Sequence, residues 1–356
     1  MIEIRKIIPS DAAEIKRIMQ AAFNLFERIF ISAPKDGLVA VLDGKIVGGT
    51  IVRCINTGGH KIGYVDGAFI HPDYHANGIG TQLYKATEEY LWQQGCTAQT
   101  AFVKDDNVAS WKLFLNNGFS QVSFFAGAKT FGLKAMLQFY FATAYFAASG
   151  MECYLKMKDT PVQSKAKNSP KNILLYLLAN SLCLLFGCVG LQAFVGNDKN
   201  YFLYIAAFAS LLATGVAAAF VGTLFTGRKW HFRLNSGGAV FTAMFGFLGG
   251  VYPMIANWYP DQYEKGKQFQ KDMAMPALFE WLALLAFTAV SCFFAANNLY
   301  CNYVFSLGVL LLVYKLLYIY PFGAMGGARI FQWSKWAFWA MAVLTVGVIC
   351  LVIAIQ

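Results

Sequence analysis

The sequence predicts an α/β domain with a mixed β-sheet flanked by helices over residues 1–159, followed by an all-α polytopic membrane domain over residues 172–356. One observation is composition: the chain is 57% hydrophobic and 13% charged, which is too apolar for a protein that is soluble throughout. The other is distribution. Charged and apolar residues alternate up to about Asp159, whereas from Asn172 the chain runs in apolar blocks of roughly 20 residues, the length that crosses a bilayer.

The polar segment 160–171 predicts a flexible linker whose lysines face lipid headgroups, namely Lys165, Lys167 and Lys171. The N-terminus, MIEIRKIIPSDAAEI, lacks the basic stretch and apolar run of a secretory signal, so the first domain is expected in the cytoplasm. We therefore expect a multi-pass protein of the cell membrane. The net charge of +10 lies mostly in the linker and membrane loops, which favours lipid over nucleic acid as the partner.

The first half of the α/β domain predicts a strand, a helix and a hairpin. IEIRKII alternates as a strand, and the helix that follows has Ser10 or Asp11 as its cap and Glu14 as a capping-box partner. Two further strands are joined by Asp43-Gly44, a dipeptide that tolerates the positive φ angles of a tight turn. A fourth strand runs from Lys61 to Ile70.

The second half predicts a helix from Gly80 to about Gly95, the strand TAQTAFVK, a helix from Val108 to Asn117 and the strand SQVSFF. MECYLKMK predicts the final strand. The order β-α-β-β-β-α-β-α-β, closed by that strand, indicates a mixed sheet with helices packed on it.

The turn after the fourth strand, HANGIG from His75 to Gly80, predicts an anion site. Glycines allow a tight turn or a close approach of the backbone, and a helix that begins there points its free N–H groups at whatever lies in front of it. An anion is the natural ligand of such a helix start.

This strand, turn and helix, followed by NVASWKLFLNNGF from Asn107 to Phe119, resemble the acetyl-CoA signature of the GNAT acetyltransferase superfamily. The resemblance covers roughly Ile2 to Lys158. It implies acetyl-CoA as co-substrate, with the pyrophosphate on the loop amides and the acetyl-pantetheine arm paired with the end of strand four. It also implies an acidic base on that strand, Asp66. The cofactor-binding positions that it implies are Phe69, Ile70, His75, Asn77, Gly78, Ile79, Gly80, Thr81 and Asn107.

The sequence departs from the family pattern at two positions, His75 and Phe114, and leaves the role of Asp66 open. His75 stands where relatives have Arg or Gln, which removes a charge and keeps the backbone amides. Phe114 stands where relatives often have a Tyr that protonates the leaving thiolate. The thiolate would then take its proton from solvent or from another Tyr, or the domain binds without turnover. Asp66 is either the base or a solvated carboxylate at the strand end.

No metal site is predicted. Pro72 prevents His71 and His75 from sharing a helix face, and the eight cysteines are scattered without a CxxC pair, which indicates free thiols.

An apolar insertion, residues 125–150, delays the last strand of the α/β domain. Ala135 to Gly150 carries no charge but is too short to span a bilayer comfortably, and one crossing would separate Met151 to Lys158 from its sheet. The segment is expected either in the membrane interface or as a helix buried on the soluble core.

The membrane domain contains six apolar segments. Gly237–Asn257 is interrupted by glycines and Pro253, as re-entrant segments are, and treating it as re-entrant places most basic loop residues on the cytoplasmic side. We therefore expect five crossings and one re-entrant segment, with six crossings as the alternative and Lys315 reaching the headgroups. The other five segments are Asn172–Val195, Tyr201–Phe225, Ala277–Ala296, Leu299–Tyr320 and Trp336–Ile355.

A second resemblance concerns LLYIYPFGAMGGARIFQWSKW, which is similar to a segment of site-2-type (M50-type) intramembrane metalloproteases. The position of the metal-binding Asp is Gly326, and the counterpart of the HExxH motif is Gly215 to Ala219, without a ligand. The resemblance implies a proteolytically inactive domain.

The function predicted is a membrane-tethered N-acetyltransferase that uses acetyl-CoA and an amine acceptor, which tethering places near the bilayer. The alternative is an acyl-CoA-binding sensor or scaffold with little turnover.

Overall fold

The computed structural model shows two compact units, one built from Met1–Val103, Ser110–Ala147 and Met151–Lys165 and the other from Lys104–Ala109, Ala148–Gly150 and Ala166–Gln356. The two units are described separately below. The structure describes residues 2–23, 28, 31, 33–75, 77–104, 107–143, 151–159, 162, 168–190, 200–235, 238–248, 250–262, 264, 266–319 and 322–355. Several predicted features lie outside this range, namely part of the linker, the end of the apolar insertion, Gly237, Gly249 and the ends of two predicted crossings.

The first unit follows the order of elements predicted from the sequence, with two additional helices before the last strand. Its elements are β1 (Ile2–Lys6), α1 (Ala12–Ala22), β2 (Gly37–Leu42), β3 (Lys45–Thr57), β4 (His60–Ile70), α2 (Ile79–Gln93), β5 (Ala98–Val103), α3 (Val108–Asn116), β6 (Ser120–Val122), α4 (Phe124–Phe131), α5 (Leu133–Thr143) and β7 (Glu152–Met157).

The strands form one seven-stranded sheet in the order β1-β2-β3-β4-β5-β7-β6. All described neighbours pair antiparallel except β4 and β5, which pair parallel. The predicted mixed sheet flanked by helices is therefore confirmed. The predicted hairpin is confirmed as well, since Asp43 and Gly44 both adopt positive φ, at 50° and 75°.

Two local predictions differ from the structure. The strand predicted as SQVSFF stops at Val122, because the Ser123 hydroxyl accepts a hydrogen bond from the Ala126 N–H and caps α4 instead. At the start of α1, the predicted capping box is absent among the described contacts. Asp11 accepts from the Ile8 N–H at 2.9 Å and from Arg5, while Glu14 bonds Arg17.

The apolar insertion forms the helical hairpin α4–α5, whose described part ends at Thr143. The inner face of α5 is buried on the sheet through Ala135, Met136 and Phe139. The outer surface of the hairpin is also apolar but exposed, and its large side chains include Phe125 of α4 at 72% and Phe141 of α5 at 80% exposure. The hairpin therefore contains a helix packed on the soluble core, as one alternative predicted, and the other alternative, a position in the membrane interface, stays a prediction.

The second unit is mainly helical. Its elements are α6 (Ser169–Gly190), α7 (Tyr201–Leu224), β8 (Trp230–Leu234), α8 (Gly238–Phe247), β9 (Ala256–Pro260), α9 (Lys267–Phe294), α10 (Leu299–Leu316), α11 (Gly327–Trp333) and α12 (Lys335–Ile355). Within the described residues, α7, α9 and α10 are the helices long and apolar enough to cross a membrane, and Lys335–Cys350 of α12 is a shorter apolar helix.

The third apolar segment, predicted as residues 237–257, is not one helix. α8 has 10 residues and is about 15 Å long, half the thickness of a hydrocarbon core. The chain then returns through an extended stretch to β9, which pairs antiparallel with β8 in the register Leu234↔Ala256. The two ends of the segment therefore lie side by side.

Candidate functional site

The candidate cofactor site begins where β4 and β5 separate. The two strands pair from Ile62↔Ala98 to Val65↔Ala101, and the described chain has no ladder pair beyond this point. β5 continues to Val103 while pairing with β7, and β4 continues to Ile70 while pairing with β3. A gap therefore opens between two strands in the middle of the sheet, with one edge formed by residues 66–70.

Backbone alternation decides which residues face this gap. The His71 N–H donates to the Val47 carbonyl in β3 at 2.8 Å, so Phe69, two residues earlier, also directs its main chain toward β3. Ala68 and Ile70 therefore present their main-chain groups to the gap. The backbone contact predicted for Ile70 is compatible with this geometry, whereas the one predicted for Phe69 points away from it. The Phe69 ring is instead buried against Phe23.

The loop that follows places free amides at the same end of β4. Gly78 has φ +72° and precedes the first residue of α2, Ile79. Its carbonyl accepts the N–H groups of Thr81 and Gln82 at 3.2 Å, and no side chain caps the helix. The N–H groups of Ile79 and Gly80 precede the first intrahelical bond, so they point out of the helix start.

Other positions of the loop fix its shape. Ile79 is buried and anchors the loop on the core, while Asn77, Gly78 and Thr81 are exposed. A Cβ on Gly80 would lie 3.1 Å from Ile70 Cδ1, so this glycine lets the helix start approach the end of β4.

The two loop histidines have separate partners. His75 Nε2 donates to the Ile70 carbonyl at 3.0 Å, and His71 Nδ1 accepts from the Asp73 N–H at 3.4 Å. His75 thus bonds the main-chain edge that faces the gap. Across the described chain, no group of three His, Cys, Asp or Glu side chains lies close enough to hold a metal ion.

Asp66, the predicted base, lies in a bulge of β4. The register passes from Gly67↔Ile51 to Val65↔Val52, so Asp66 is the additional residue. Its side chain has 0% exposure and lies in an ion pair with Arg53, whose Nε is 3.1 Å from Oδ2. Arg53 also donates to the Ala142 carbonyl of α5 at 3.0 Å. An amine would therefore reach this carboxylate through a water or after displacement of Arg53.

Phe114 lies in an aromatic cluster with Tyr84, Phe119 and Tyr154, with its ring centroid 5.3 Å from that of Tyr84. Among these rings, Tyr84 is the tyrosine whose ring lies nearest to Phe114, so it is the candidate to replace the missing proton donor. Burial, with the charge of Glu88 as a smaller cause, raises the pKa of Tyr84, which makes its hydroxyl a weaker proton donor. The cluster therefore supports proton delivery from solvent.

Asn107 lies in the segment Lys104–Ala109, which groups with the second unit. Its N–H donates to the Lys104 carbonyl at 3.2 Å and its side chain is exposed. The cofactor contact implied for it stays a prediction.

The geometry of β4, the gap and the loop fits an extended carrier that ends in a diphosphate. The strand edge offers main-chain groups to an amide-containing arm, and the helix start offers N–H groups to an anion without a cationic side chain. Both features are made by the backbone, so the replacement of Arg or Gln by His75 does not remove them.

Comparison with protein families supports this interpretation. Residues 5–119 match the model of the Acetyltransferase (GNAT) family. Residues 5–119 carry a GNAT acetyltransferase domain. The match ends before residues 166–356, so it does not bear on the second resemblance described above.

Similar solved structures include three bacterial acetyltransferases. A GNAT family acetyltransferase from Brucella melitensis, in complex with acetyl-CoA, is 23% identical, and the alignment covers 34% of this chain and 83% of that chain with a TM-score of 0.29. One from Streptococcus pneumoniae is 23% identical over 35% and 86%, with a TM-score of 0.29. The ribosomal-protein-S18-alanine N-acetyltransferase from Escherichia coli is 14% identical over 47% and 98%, with a TM-score of 0.32. Comparison with curated proteins gave no match.

A second polar cluster, which the sequence did not predict, lies in the second unit. Glu280, in the middle of the apolar helix α9, pairs with Lys315 of α10 at 2.8 Å, and Lys315 also donates to the Met325 carbonyl at 2.9 Å. Lys315 is buried and does not reach the headgroups as expected. A lone acidic residue within an apolar block was the signal that could have identified Glu280.

Proposed function

We propose that the protein is a membrane-tethered N-acetyltransferase, in which an amine attacks the thioester of acetyl-CoA directly. The observation that carries this proposal is the gap between β4 and β5 together with the free amides at the start of α2. When bound, acetyl-CoA supplies an acyl group already activated as a thioester. The residues of the chain then have to hold it, polarise its carbonyl and accept a proton from the amine.

The proposed roles follow the geometry. The amides from Asn77 to Gly80 hold the diphosphate, while the Thr81 N–H already donates to the Gly78 carbonyl. The main chain of Ala68 and Ile70 aligns the pantetheine arm and polarises the carbonyl. Asp66 or a water acts as base. Because Phe114 has no proton to give, the leaving thiolate takes its proton from solvent.

The second unit supports tethering. Five helices, α6, α7, α9, α10 and α12, are proposed as crossings, and the segment between β8 and β9 as re-entrant. The support is the β8–β9 ladder, since paired strands on either side of the segment require it to leave the membrane where it entered. With this arrangement, the N-terminal domain is proposed to lie in the cytoplasm and the protein in the cell membrane.

The outer face of the α4–α5 hairpin is proposed to rest on the bilayer. Leu133, Leu137 and Phe141 recur every fourth residue of α5, so they share one exposed face, and both faces of this helix are apolar. Lys129 and Lys134 are exposed on the same hairpin and suit anionic headgroups. The acceptor is accordingly proposed to be an amine on a lipid, a membrane protein or an amphiphile.

A sensor or scaffold is the second candidate function. Two observations favour it: Phe114 cannot donate a proton, and Arg53 occupies the carboxylate of Asp66. In this case the domain would bind acyl-CoA with little turnover, and the second unit would be the proteolytically inactive partner implied by Gly326 and the ligand-free segment from Gly215 to Ala219.

Thiol release from acetyl-CoA, measured on the full-length protein in nanodiscs with a panel of amines, distinguishes the two functions. An N-acetyltransferase releases thiol only when a suitable amine is present, and binding of acetyl-CoA is measured in parallel. Binding of acetyl-CoA without amine-dependent release from any member of the panel would favour the sensor.

The contact of the hairpin with lipid is tested separately. A fluorescent amino acid at Phe141 is expected to be quenched by brominated lipids in the nanodisc. Leu115, an exposed leucine of α3 at 43%, is the matched control site. Equal quenching at the two sites would contradict the proposed contact.

A further inference from the structure

The second unit contains a pocket that neither the family match nor the proposed transfer chemistry uses. It lies among α7, α9 and α10, the helices of membrane length, and is closed by β9 and the turn Phe322–Met325. Its cavity volume is about 50 Å³ and it opens to solvent through a mouth, so a bound alkyl chain would extend out through that mouth. Gly215 leaves space for the side chain of Glu280 in this pocket, since a Cβ at this position would lie 3.3 Å from Glu280 Cγ.

An ion pair stands in this pocket. Glu280 and Lys315 are its charged lining residues within the described chain, and they lie 2.8 Å apart. Taking two charges into an apolar helix bundle costs free energy, and apolar residues of similar volume are often at least as stabilising. Polar groups at membrane depth are for this reason associated with binding or transport sites.

The two members of the pair do not face the pocket equally. The Lys315 side chain is 4% exposed, and its ammonium donates to Glu280 and to the Met325 carbonyl. The Glu280 side chain is 25% exposed, and its Oε1 lies 2.8 Å from the Lys315 ammonium. Among the described residues, no hydrogen bond is made to Glu280 Oε2.

Asn257 adds a second acceptor. It is 8% exposed and lines the pocket, and its Nδ2 donates to the Ala324 carbonyl at 2.8 Å. That bond fixes the amide orientation, and the described chain supplies no donor to its Oδ1. The carboxylate oxygen of Glu280 and the amide oxygen of Asn257 both accept, and the hydroxyl of Tyr176, which also lines the pocket, can donate or accept.

The apolar lining of the pocket indicates which other groups the ligand carries. Aromatic rings of Tyr176, Phe232 and Trp258 line the pocket, and the remaining lining is largely aliphatic. Aromatic faces favour a cationic or amine group, and aliphatic walls favour an alkyl chain.

We infer that this pocket binds an apolar primary amine, whose nitrogen donates to Glu280 and Asn257 while its alkyl chain lies against the apolar walls. Binding of the amine does not depend on the acetyltransferase activity. The further step, that this amine is the acetyl acceptor drawn from the bilayer, rests on the proposed function. It would explain why an amine-acetylating domain is joined to this particular bundle rather than to a single anchoring helix.

Equilibrium dialysis of radiolabelled octylamine against the full-length protein in detergent micelles, with empty micelles as blank, tests the inference. Octylamine should bind saturably and about tenfold more tightly than octanol or octanoate. Glu280→Gln should weaken octylamine binding about tenfold. Glu264→Gln is the matched control, since Glu264 is 57% exposed and pairs with Arg228 outside the pocket, and it should leave the affinity unchanged.

Two further variants protect the test against misfolding. Glu280→Gln/Lys315→Met removes both charges, so it leaves no unpaired ion, and should also lose octylamine binding. Gly215→Leu fills the pocket from the opposite wall and should abolish binding while both charged residues remain. Equal affinity for octylamine and octanol, or an unchanged affinity in Glu280→Gln, would overturn the inference.

Acetyl-CoA affinity and amine-dependent thiol release are measured on the same preparations. If both are present but octylamine binding is not saturable, the pocket inference fails and the proposed function stands. If octylamine binds as expected but acetyl-CoA does not, the proposed function fails and the pocket inference stands.

Discussion

The two units build their sites from different parts of the polypeptide. In the first unit the candidate cofactor site consists of main-chain groups, at the free edge of β4 and at the start of α2. In the second unit the pocket presents side chains that come from several helices, both strands and the turn Phe322–Met325. A main-chain site tolerates substitution of its side chains, as the exchange to His75 illustrates. A side-chain site depends on each charged residue.

The ion pairs of the two sites also differ in which partner is buried. Arg53, the partner of Asp66, keeps 33% of its side chain exposed, whereas Lys315, the partner of Glu280, keeps 4%. Their acidic partners show the opposite order, since Asp66 is 0% and Glu280 25% exposed, so the buried member of the pair is the acid in the first unit and the lysine in the second.

The largest effect is expected when Lys315 is removed. Lys315→Met leaves the carboxylate of Glu280, which is 25% exposed, without its partner inside an apolar bundle, which should lower the free energy of unfolding by about 3 kcal/mol. Glu280→Gln/Lys315→Met should be close to the unmodified protein, because no uncompensated charge remains. Chemical unfolding in detergent measures both, with Arg17→Met, which breaks the exposed Glu14–Arg17 pair, as a control without measurable loss. Equal losses of stability in the single and double variants would show that the unpaired charge of Glu280 is not what destabilises Lys315→Met.

The next effect concerns the base. Asp66→Asn should lower kcat about 100-fold and leave acetyl-CoA affinity unchanged, because general base catalysis is worth at least this factor. Arg53→Met exposes the carboxylate and should retain activity once the folded fraction is accounted for. If both variants instead lose activity only in proportion to the folded protein, the Arg53–Asp66 pair is structural and a water is the base.

A smaller effect is expected at the loop. Gly78→Val forces a β-branched residue to φ +72° at the site that faces the anion, and should weaken coenzyme A binding about tenfold. Gly95→Val, at φ +78° just after the other end of α2, carries similar strain and should keep the affinity. Titration calorimetry measures both, and equal losses would show that strain, rather than loop geometry, is responsible.

The sequence predicted what local patterns determine. The order of elements along the chain, the Asp43-Gly44 hairpin and the tight turn at the HANGIG glycines follow from neighbouring residues. The structure contains each of them, with Gly78 at φ +72° in that turn. A binding site at the end of β4 was predicted only from the family resemblance. The separation of β4 from β5 depends on how the whole sheet is assembled, so no local pattern predicts it.

What the sequence did not predict depends on distant pairings. Arg53 meets Asp66 because of the register and the bulge between β3 and β4, and Glu280 meets Lys315 because α9 and α10 pack together. The β8–β9 ladder likewise joins strands on either side of an apolar segment. No local pattern contains these contacts.

The smallest effect is a pH dependence in the first unit. The hydrogen bond from Arg5 lowers the pKa of Asp11, and burial, which raises it, is outweighed with the help of the Ile8 N–H and the Arg5 charge, so the pKa lies below its ordinary value. A lowered carboxyl pKa stabilises the fold above the ordinary value of about 3.9, and this contribution is lost as pH falls through the lower folded pKa. The protein loses stability as the pH falls from 5 to 2, and Arg5→Met should make this loss smaller by less than about 1 kcal/mol. Unfolding measured at each pH tests this. A curve that is unchanged would show that the pair contributes nothing.

Titration of the full-length protein with acetyl-CoA and with acetyl-pantetheine, which lacks the diphosphate, tests the central claim most directly. We predict one acetyl-CoA per chain with a dissociation constant below about 1 mM, and acetyl-pantetheine at least about tenfold weaker. Equal affinities would show that the amides at the start of α2 do not hold the diphosphate, and the absence of saturable binding would contradict the account of the first unit altogether.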